Sequence, residues 1–176
     1  MGWVGDAGRA ESADDSLKGK LALTIAPPKL PTDGASHPIV HVQLLGADGS
    51  PVLAVNDTEV SLISSDARVA KVPRSIEIQT GRSFAVASMS TTATPGTVIL
   101  TAVSPDWEMA TAEVTTLDAL RAARPYRVTL HASPPKMIVG GETPGLLSVV
   151  LQGANGIPVV TDRDLEVELE VSAPQV

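Results

Sequence analysis

The chain of 176 residues contains no cysteine. Without thiols it cannot form a disulfide, a thiolate metal centre or a cysteine nucleophile, so these three kinds of site are excluded. Aromatic residues are scarce as well and make up 2% of the sequence: Trp3, Phe84, Trp107 and Tyr126. A sugar-binding platform, which needs several aromatic rings on one face, is therefore not expected.

The chain also lacks basic clusters and long apolar runs. Its net charge is −7, and an acidic surface repels phosphate groups, which argues against nucleic acid and anionic membranes as partners. No apolar run approaches ~18 residues, so the chain as shown is not expected to span a membrane. Residues 1–16 have no apolar core of a secretory signal, and an export signal would be expected upstream of them.

What the chain has in abundance is the composition and period of β-strands. Hydrophobic residues make up 43%, mainly Val, Leu, Ile and Ala, with many Thr and Ser among the polar residues. Apolar and polar residues alternate in short segments, for example Leu21–Ile25 and Val40–Leu44, and Gly, Pro and Asp separate the segments. About seven strands at this spacing predict an all-β, immunoglobulin-like (Ig-like) sandwich.

Three segments of the chain recur at a constant offset of about 107 residues, which is typical of a tandem array. Residues 26–29 return as 133–136, residues 46–52 as 153–159, and residues 57–62 as 164–169. The period is close to the ~100 residues of an Ig-like sandwich. The predicted organisation is a tail or linker (1–17), a complete module (18–117), a linker (118–125) and a truncated second module (126–176).

The second module has counterparts of only the first three strands, including an amphipathic strand over 165–171. Half a sandwich exposes an apolar sheet face and unpaired edges, which invites pairing with another chain. Three accounts remain open: the sequence is a fragment of a longer array, a neighbouring subunit completes the module by strand donation, or the half module is poorly ordered.

The segment 23–62 and the later segment 94–102 resemble the bacterial Ig-like domains of the invasin and intimin type. The residues that match are Pro27, Asp33, Gly34, Val40, Val42, Asp48, Gly49, Pro51 and Val52. Asp33 is replaced by Gly140 in the second copy, so the family's turn does not require that carboxylate. The resemblance implies a module strung in rows on prokaryotic surface or secreted proteins, with neighbouring Ig-like modules as partners, and it implies no particular ligand.

Two groups of residues are weighed as metal ligands. His37 and His41 share one strand face but would lie ~13 Å apart, so we predict that both face solvent. Acidic residues in turns and the linker suggest Ca²⁺ between modules as an alternative hypothesis. They are Asp33, Asp48, Asp57, Asp118, Asp162 and Asp164. Turn geometry already explains Asp-Gly steps, so no metal or other cofactor is predicted.

Other candidates have plain structural explanations. A solvated outer strand face accounts for Glu166, Glu168 and Glu170 without glycosidase chemistry. Trp107 is expected to pack over the end of the sandwich, although an exposed Trp could stack on a sugar or anchor a partner. Asn56 begins an Asn-Asp-Thr glycosylation triplet, a pattern that arises often by chance.

The sequence therefore predicts a non-enzymatic, adhesin-type stalk module outside the cell, with no catalytic, cofactor-binding or metal-binding residue. One alternative is a filament or surface-layer subunit that self-associates through the exposed strand edges of residues 126–176. The other is an accessory binding domain of an extracellular enzyme.

Overall fold

The computed structural model describes residues 19–118, 120–121, 127–140, 145–154, 156, 158–161 and 163–172. These residues form thirteen strands and no helix, which confirms the predicted all-β class. The strands are β1 (Lys20–Ile25), β2 (Lys29–Pro31), β3 (Ser36–Leu45), β4 (Thr58–Ser64), β5 (Ala70–Lys71), β6 (Ser75–Ile78), β7 (Phe84–Thr91), β8 (Gly96–Ser104), β9 (Trp107–Leu117), β10 (Leu120–Arg121), β11 (Arg127–Ser133), β12 (Leu146–Gln152) and β13 (Val159–Val160). The predicted tail, residues 1–17, lies outside the described residues.

Residues 19–118, called here the first sandwich, form two sheets around one core. One sheet has the order β5-β7-β3-β1, and the other has the order β9-β8-β4-β6 with β2 on the outer edge of β9. The sheets join at a single parallel pair, Lys20 with Glu108. Between them lies one cluster of buried apolar side chains. It includes Leu21, Ile25, Val40, Val42, Leu44, Val60, Leu62, Ile78, Met89, Val98, Leu100 and Val114.

The alternating sequence pattern explains which side chains enter this core. In β8, Val98, Leu100 and Ala102 are buried while Ile99 and Val103 are exposed on the opposite face. Successive side chains of a strand point to opposite faces, so a period of two sends one set inward. The Ig-like sandwich predicted from these periods is confirmed in the first sandwich.

The first and last strands of the first sandwich are joined by parallel backbone hydrogen bonds. The backbone N–H of Glu108 donates to the carbonyl of Gly19, and the N–H of Thr115 donates to the carbonyl of Pro28 (2.9 Å). Strand β2 continues this parallel ladder along β9, and the N–H of Thr32 donates to the carbonyl of Leu117 (2.9 Å). The first strands of the sandwich are therefore bonded side by side with its last strand.

Strands β11 and β12 form a second antiparallel hairpin that repeats the register of β1 and β3. Lys20 pairs with Leu45 in the first hairpin, and Arg127 pairs with Gln152 in the second. Each partner lies 107 residues beyond its counterpart, and the next five pairs along both ladders keep this offset. The turns match as well, because Gly49 and Gly156 both have φ of 76°, a left-handed conformation that favours glycine.

The second hairpin contacts the outer face of the first sandwich. The side-chain amide of Gln43 in β3 donates to the carbonyl of Lys136 (2.9 Å), and the hydroxyl of Ser148 donates to the carbonyl of Ala26 (3.2 Å). Gln43 and His41 are both buried although they point away from the core. By the alternation of the strands, the second hairpin turns its polar face toward the first sandwich.

The opposite face of the second hairpin is apolar and exposed. Val128, Leu130, Leu147 and Val149 are 38–54% exposed. Their counterparts in the first hairpin, Leu21, Leu23, Val40 and Val42, lie in or against the core. One sheet face is thus covered in the first half of the chain and uncovered in the second.

Three details of the sequence prediction are corrected. The sequence predicts an amphipathic strand over residues 165–171, but these residues form no strand, because no described strand lies beside them to complete a ladder. Residues 120–121, in the predicted linker, pair in parallel with Val159 and Val160. The short strand β2 was not predicted. In addition, no helix of the described part of the chain has the length and apolarity to cross a membrane.

Candidate functional site

The acidic turn residues carry most of the potential chemistry of this chain, and the structure places Asp33, Asp48 and Asp57 in local hydrogen-bond networks. Asp33 has the densest one. Its Oδ1 accepts from the N–H of Ala35 (2.9 Å), the hydroxyl of Thr91 (2.8 Å) and the ring of His37 (3.4 Å). Burial raises the pKa of Asp33, but the hydrogen bonds from these three groups outweigh it and hold the pKa below its usual value.

Two further carboxylates fix loops in the same way. Asp48 accepts from the N–H of Ser50 (2.9 Å) and closes the turn after β3. Asp57 accepts from both the N–H (2.7 Å) and the hydroxyl (2.8 Å) of Thr80, which ties the start of β4 to the loop after β6. In both cases a backbone N–H is the main cause that lowers the carboxyl pKa.

The remaining acidic candidates are dispersed. Asp118 accepts from the hydroxyl of Thr32 (2.9 Å), and Asp164 is exposed. Asp162 lies outside the described residues. Among the residues that the structure describes, no group of three or more His, Asp or Glu side chains could hold a metal ion. The structure does not bring the five described acidic candidates together as a metal site.

The two candidate histidines have different surroundings. A β-bulge separates His37 from Val40, and the Nε2 atom of His37 lies 3.4 Å from the Oδ1 atom of Asp33. His41 is 1% exposed, and neither of its ring nitrogens has a hydrogen-bond partner. Its ring stacks against Phe84, with centroids 6.3 Å apart. The prediction that His41 faces solvent is therefore wrong.

The burial of His41 has a physical cause that lies far along the chain. It sits on the outer face of β3, two residues from Gln43, whose side chain bonds to the Lys136 carbonyl of the second hairpin. The Nε2 atom of His131 and the hydroxyl of Ser133 in β11 are also buried without a partner. Burial lowers the pKa of His41. Sequence reasoning missed this surface because its only signal is polar residues in a strand whose other face is core.

Trp107 packs against the edge of the core at the start of β9. Its ring occupies the space that a Cβ at Gly19 would need, so Gly19 permits the close approach of the chain. The structure agrees with the predicted packing role and leaves the ring only partly exposed. Glu166, Glu168, Glu170 and Asn56 are all exposed.

The substitution Asp33→Ala tests the role of this carboxylate as a turn brace. Removing an acceptor for three donors should lower the free energy of unfolding by about 1–2 kcal/mol at neutral pH. A carboxyl whose folded pKa is depressed stabilises the protein above its unfolded pKa of 3.8 and loses that contribution as the pH falls below it. The variant should therefore lose less stability on acidification, which denaturant unfolding at several pH values measures.

The control for this measurement is Asp164→Ala, which removes an exposed carboxylate. It should leave the free energy of unfolding at neutral pH unchanged. Equal losses in the two variants would contradict the bracing role of Asp33.

Comparison with known proteins gives matches in structure only. No family model and no curated protein sequence matches this chain. Domains 5–6 of the S-layer protein SbsC match at 14% identity and a TM-score of 0.50, over 81% of this chain and 67% of theirs. The D00-D0 domain of intimin matches at 16% identity and a TM-score of 0.44, over 61% of this chain and 52% of the intimin chain. Invasin, a bacterial integrin-binding protein, matches at 18% identity and a TM-score of 0.39, over 80% of this chain and 27% of the invasin chain.

The first solved structures that match are much longer than this chain. It spans 15% of a glycosyl hydrolase family 2 member from Bacteroides cellulosilyticus and 12% of a family 2 β-glucuronidase. At these identities the likeness concerns the fold alone. The chain has the Ig-like β-sandwich fold that its resemblance to the invasin and intimin type predicts.

Proposed function

We propose that this chain is a non-enzymatic structural spacer of a prokaryotic surface or secreted protein. The observation that carries the proposal is the parallel ladder between the first and last strands of the first sandwich. Such a ladder suits a module that must keep its fold while the chain is under tension. The SbsC, intimin and invasin matches have the same fold and are consistent with a place outside the cell.

The direction of the ladder determines how tension acts on it. Strands β1 and β2 run parallel to β9, so the entry of the chain and its exit lie at opposite ends of the paired strands. Pulling the two ends apart slides β2 along β9 and loads the ladder hydrogen bonds together. Antiparallel neighbours pulled from one end would instead separate one bond at a time.

The second hairpin supports an arrangement of modules in rows. Its register repeats that of the first hairpin at an offset of 107 residues, as a second copy of one unit would. Its contacts to Gln43 and Ala26 place it over the outer face of β1 and β3. A row built in this way would be stiffened by packing between neighbours as well as by short linkers.

The hydrogen bonding of the acidic side chains supports a role without catalysis. Asp33, Asp48 and Asp57 each accept hydrogen bonds from nearby backbone N–H groups and hydroxyls, and these bonds lower their pKa values. A general acid at neutral pH needs the opposite shift. These carboxylates are suited to holding loops in place.

Single-molecule pulling tests the mechanical proposal. Because the chain lacks cysteine, a pair of introduced thiols provides unique attachment points. The pair Lys20→Cys with Asp118→Cys loads the parallel ladder in shear and should give an unfolding force several-fold higher than a peeling geometry. Forced unfolding depends on the unfolding barrier, so the two geometries can differ at equal equilibrium stability.

The matched control is Ala93→Cys with Asp118→Cys. These positions flank the same end of the β8–β9 pair, in which Gly96 pairs with Thr116, so pulling peels β9 away. Equal unfolding forces would contradict the mechanical role. The location is tested separately: antibodies against the chain should label intact, unpermeabilised cells or the culture medium, and labelling only after lysis would contradict it.

A further inference from the structure

The outer face of β3 and the polar face of the second hairpin meet in a contact that we call the junction. On the sandwich side, His41, Gln43 and Phe84 are only 1–4% exposed, although they point away from the core. Phe84 is paired with Gln43 and so shares its face of the sheet. Gln43 bonds to the carbonyl of Lys136 across the junction. The burial of this outer face is thus tied to the presence of the second hairpin.

The junction holds most of the unsatisfied polar atoms among the described residues. Five buried side-chain atoms there have no hydrogen-bond partner, and four of them lie on the two facing surfaces. They are both ring nitrogens of His41, the Nε2 atom of His131 and the hydroxyl of Ser133. Buried polar atoms without partners are rare in folded proteins, so their concentration at one contact needs a physical explanation.

The charged and titratable side chains around His41 are mostly basic. At the described positions of the elements that surround it, they are Lys20 on β1, His37 on β3, Asp48 in the turn after β3, Arg127 and His131 on β11, and Lys136 after β11. Strands β7 and β12 contribute none at their described positions.

The one carboxylate in this set already has partners. Hydrogen bonds from Ser50 are the main cause of the lowered pKa of Asp48, and the positive charge of Lys136 adds to it. His37 lies beyond the bulge of β3, against Asp33. A charged imidazole at position 41 would therefore be buried among basic neighbours, with no carboxylate partner in this part of the described structure.

We infer that the junction is an acid-sensitive hinge, in which protonation of His41 releases the second hairpin while the first sandwich stays folded. In the open chain the outer face of β3 is in water, where an imidazolium is hydrated and needs no partner. In the closed chain the same charge is buried and unpaired, which is unfavourable. The core cluster lies on the opposite face of β1 and β3, so opening the junction does not expose it.

Proton linkage gives the direction and the size of the effect. Burial lowers the pKa of His41 in the closed chain, whereas the open chain binds the proton at the ordinary pKa of 6.5. Opening therefore takes up a proton below pH 6.5, and the opening constant rises as the pH falls. For one histidine we expect a rise of about tenfold between pH 7.5 and pH 5.5.

Thiol labelling of the native full chain measures this opening, because the chain has no cysteine of its own. Ser133→Cys places a thiol of similar shape in the junction, at a position that is 2% exposed. Its rate of reaction with a pyridyl disulfide is divided by the rate of the exposed Thr111→Cys thiol at the same pH. This ratio gives the opening constant, which should rise about tenfold on acidification, and far-UV circular dichroism checks that each variant is folded.

A thiol in the core separates opening of the junction from global unfolding. Val114 is 0% exposed in β9, so the Val114→Cys thiol reacts only when the first sandwich opens. Its opening constant should be at least about tenfold smaller than that of Ser133→Cys at both pH values, because partial opening needs less free energy than global unfolding.

Variants of His41 assign the acid response to its charge. In the Ser133→Cys chain, His41→Leu or His41→Gln should abolish the tenfold rise, since neither side chain can take up a proton. Glutamine also keeps the polarity of the site, so it separates the loss of charge from a gain in apolar packing.

Three results would overturn the inference. They are an opening constant at position 133 that does not rise in acid, equal opening constants at positions 133 and 114, and a rise that persists in both His41 variants. A spacer whose junction stays closed in acid would still resist shear, so each of these results leaves the proposed function standing.

Discussion

Replacing Leu44 by alanine is expected to remove a large part of the stability of the first sandwich. Leu44 is fully buried near the end of β3, and it belongs to the single cluster between the two sheets. A Leu→Ala change in such a site loses the transfer free energy of the removed atoms and leaves a cavity, which together cost about 2–5 kcal/mol. For a domain of this size the melting temperature should fall by about 10–30 °C.

Denaturant unfolding monitored by circular dichroism measures this loss, and Ile99→Ala serves as the matched control. Ile99 is also a large aliphatic residue in a strand, but its side chain lies on the exposed face of β8. Its replacement should change the free energy of unfolding by no more than about 1 kcal/mol. If both variants lost the same stability, the assignment of inner and outer faces would be wrong.

The second large effect is expected at His41. Burial lowers its pKa from the ordinary value of 6.5, so the folded protein binds a proton at His41 less readily than the unfolded chain does. The unfolded state therefore binds more protons between pH 6.5 and the folded pKa, and stability must fall as the pH falls through that window. The slope can reach about 1.4 kcal/mol per pH unit.

The substitution His41→Leu tests this expectation. Leucine fills a similar volume without the two unpartnered nitrogens, so the variant should lose the slope below pH 6.5 and gain about 1 kcal/mol at neutral pH. Ile99→Ala changes an exposed side chain on β8 and no titratable group, so it should retain the slope. A flat stability profile of the unmodified protein between pH 6.5 and 5 would contradict the prediction.

The strands of the first sandwich could be predicted because each one depends on local sequence. In β8 and β9 the period of two is regular, and the Pro95-Gly96 step before β8 and the turn at Pro105-Asp106 separate the elements. The buried members of the alternations in β4 and β8 also followed. Strand β2 escaped prediction because three residues beside a double proline have no readable period.

Contacts between distant parts of the chain could not be predicted. Gln43 bonds to a carbonyl 93 residues away, and this contact buries an outer face that local alternation marks as solvated. The segment 165–171 shows the opposite error, because local alternation predicts a strand there and none forms. Its alternation is the most regular in the chain, but alternation makes a strand only where another strand is present to accept its hydrogen bonds.

The acidic candidates also divide into local contacts, which the sequence predicts, and long-range contacts, which it does not. The Asp-Gly step at Asp48 indicated a turn, and the structure adds the N–H of Ser50 as the group that the carboxylate fixes. The bond between Asp57 and Thr80 spans 23 residues and has no sequence signature. The hydrogen bonds within a turn could thus be predicted from the sequence, and the hydrogen bonds between loops could not.

The matching registers of the two hairpins create a hazard during synthesis. A nascent chain presents β1 and β3 first and β11 and β12 later, and either hairpin has the geometry to align with β7. The inner-face positions stay aliphatic in both copies, whereas the outer face changes in character, where Thr24 becomes His131 and Gln43 becomes Val150. Sequence divergence at these positions biases the nascent chain toward correct pairing, in a protein whose repetition would otherwise favour misassembly between its own halves.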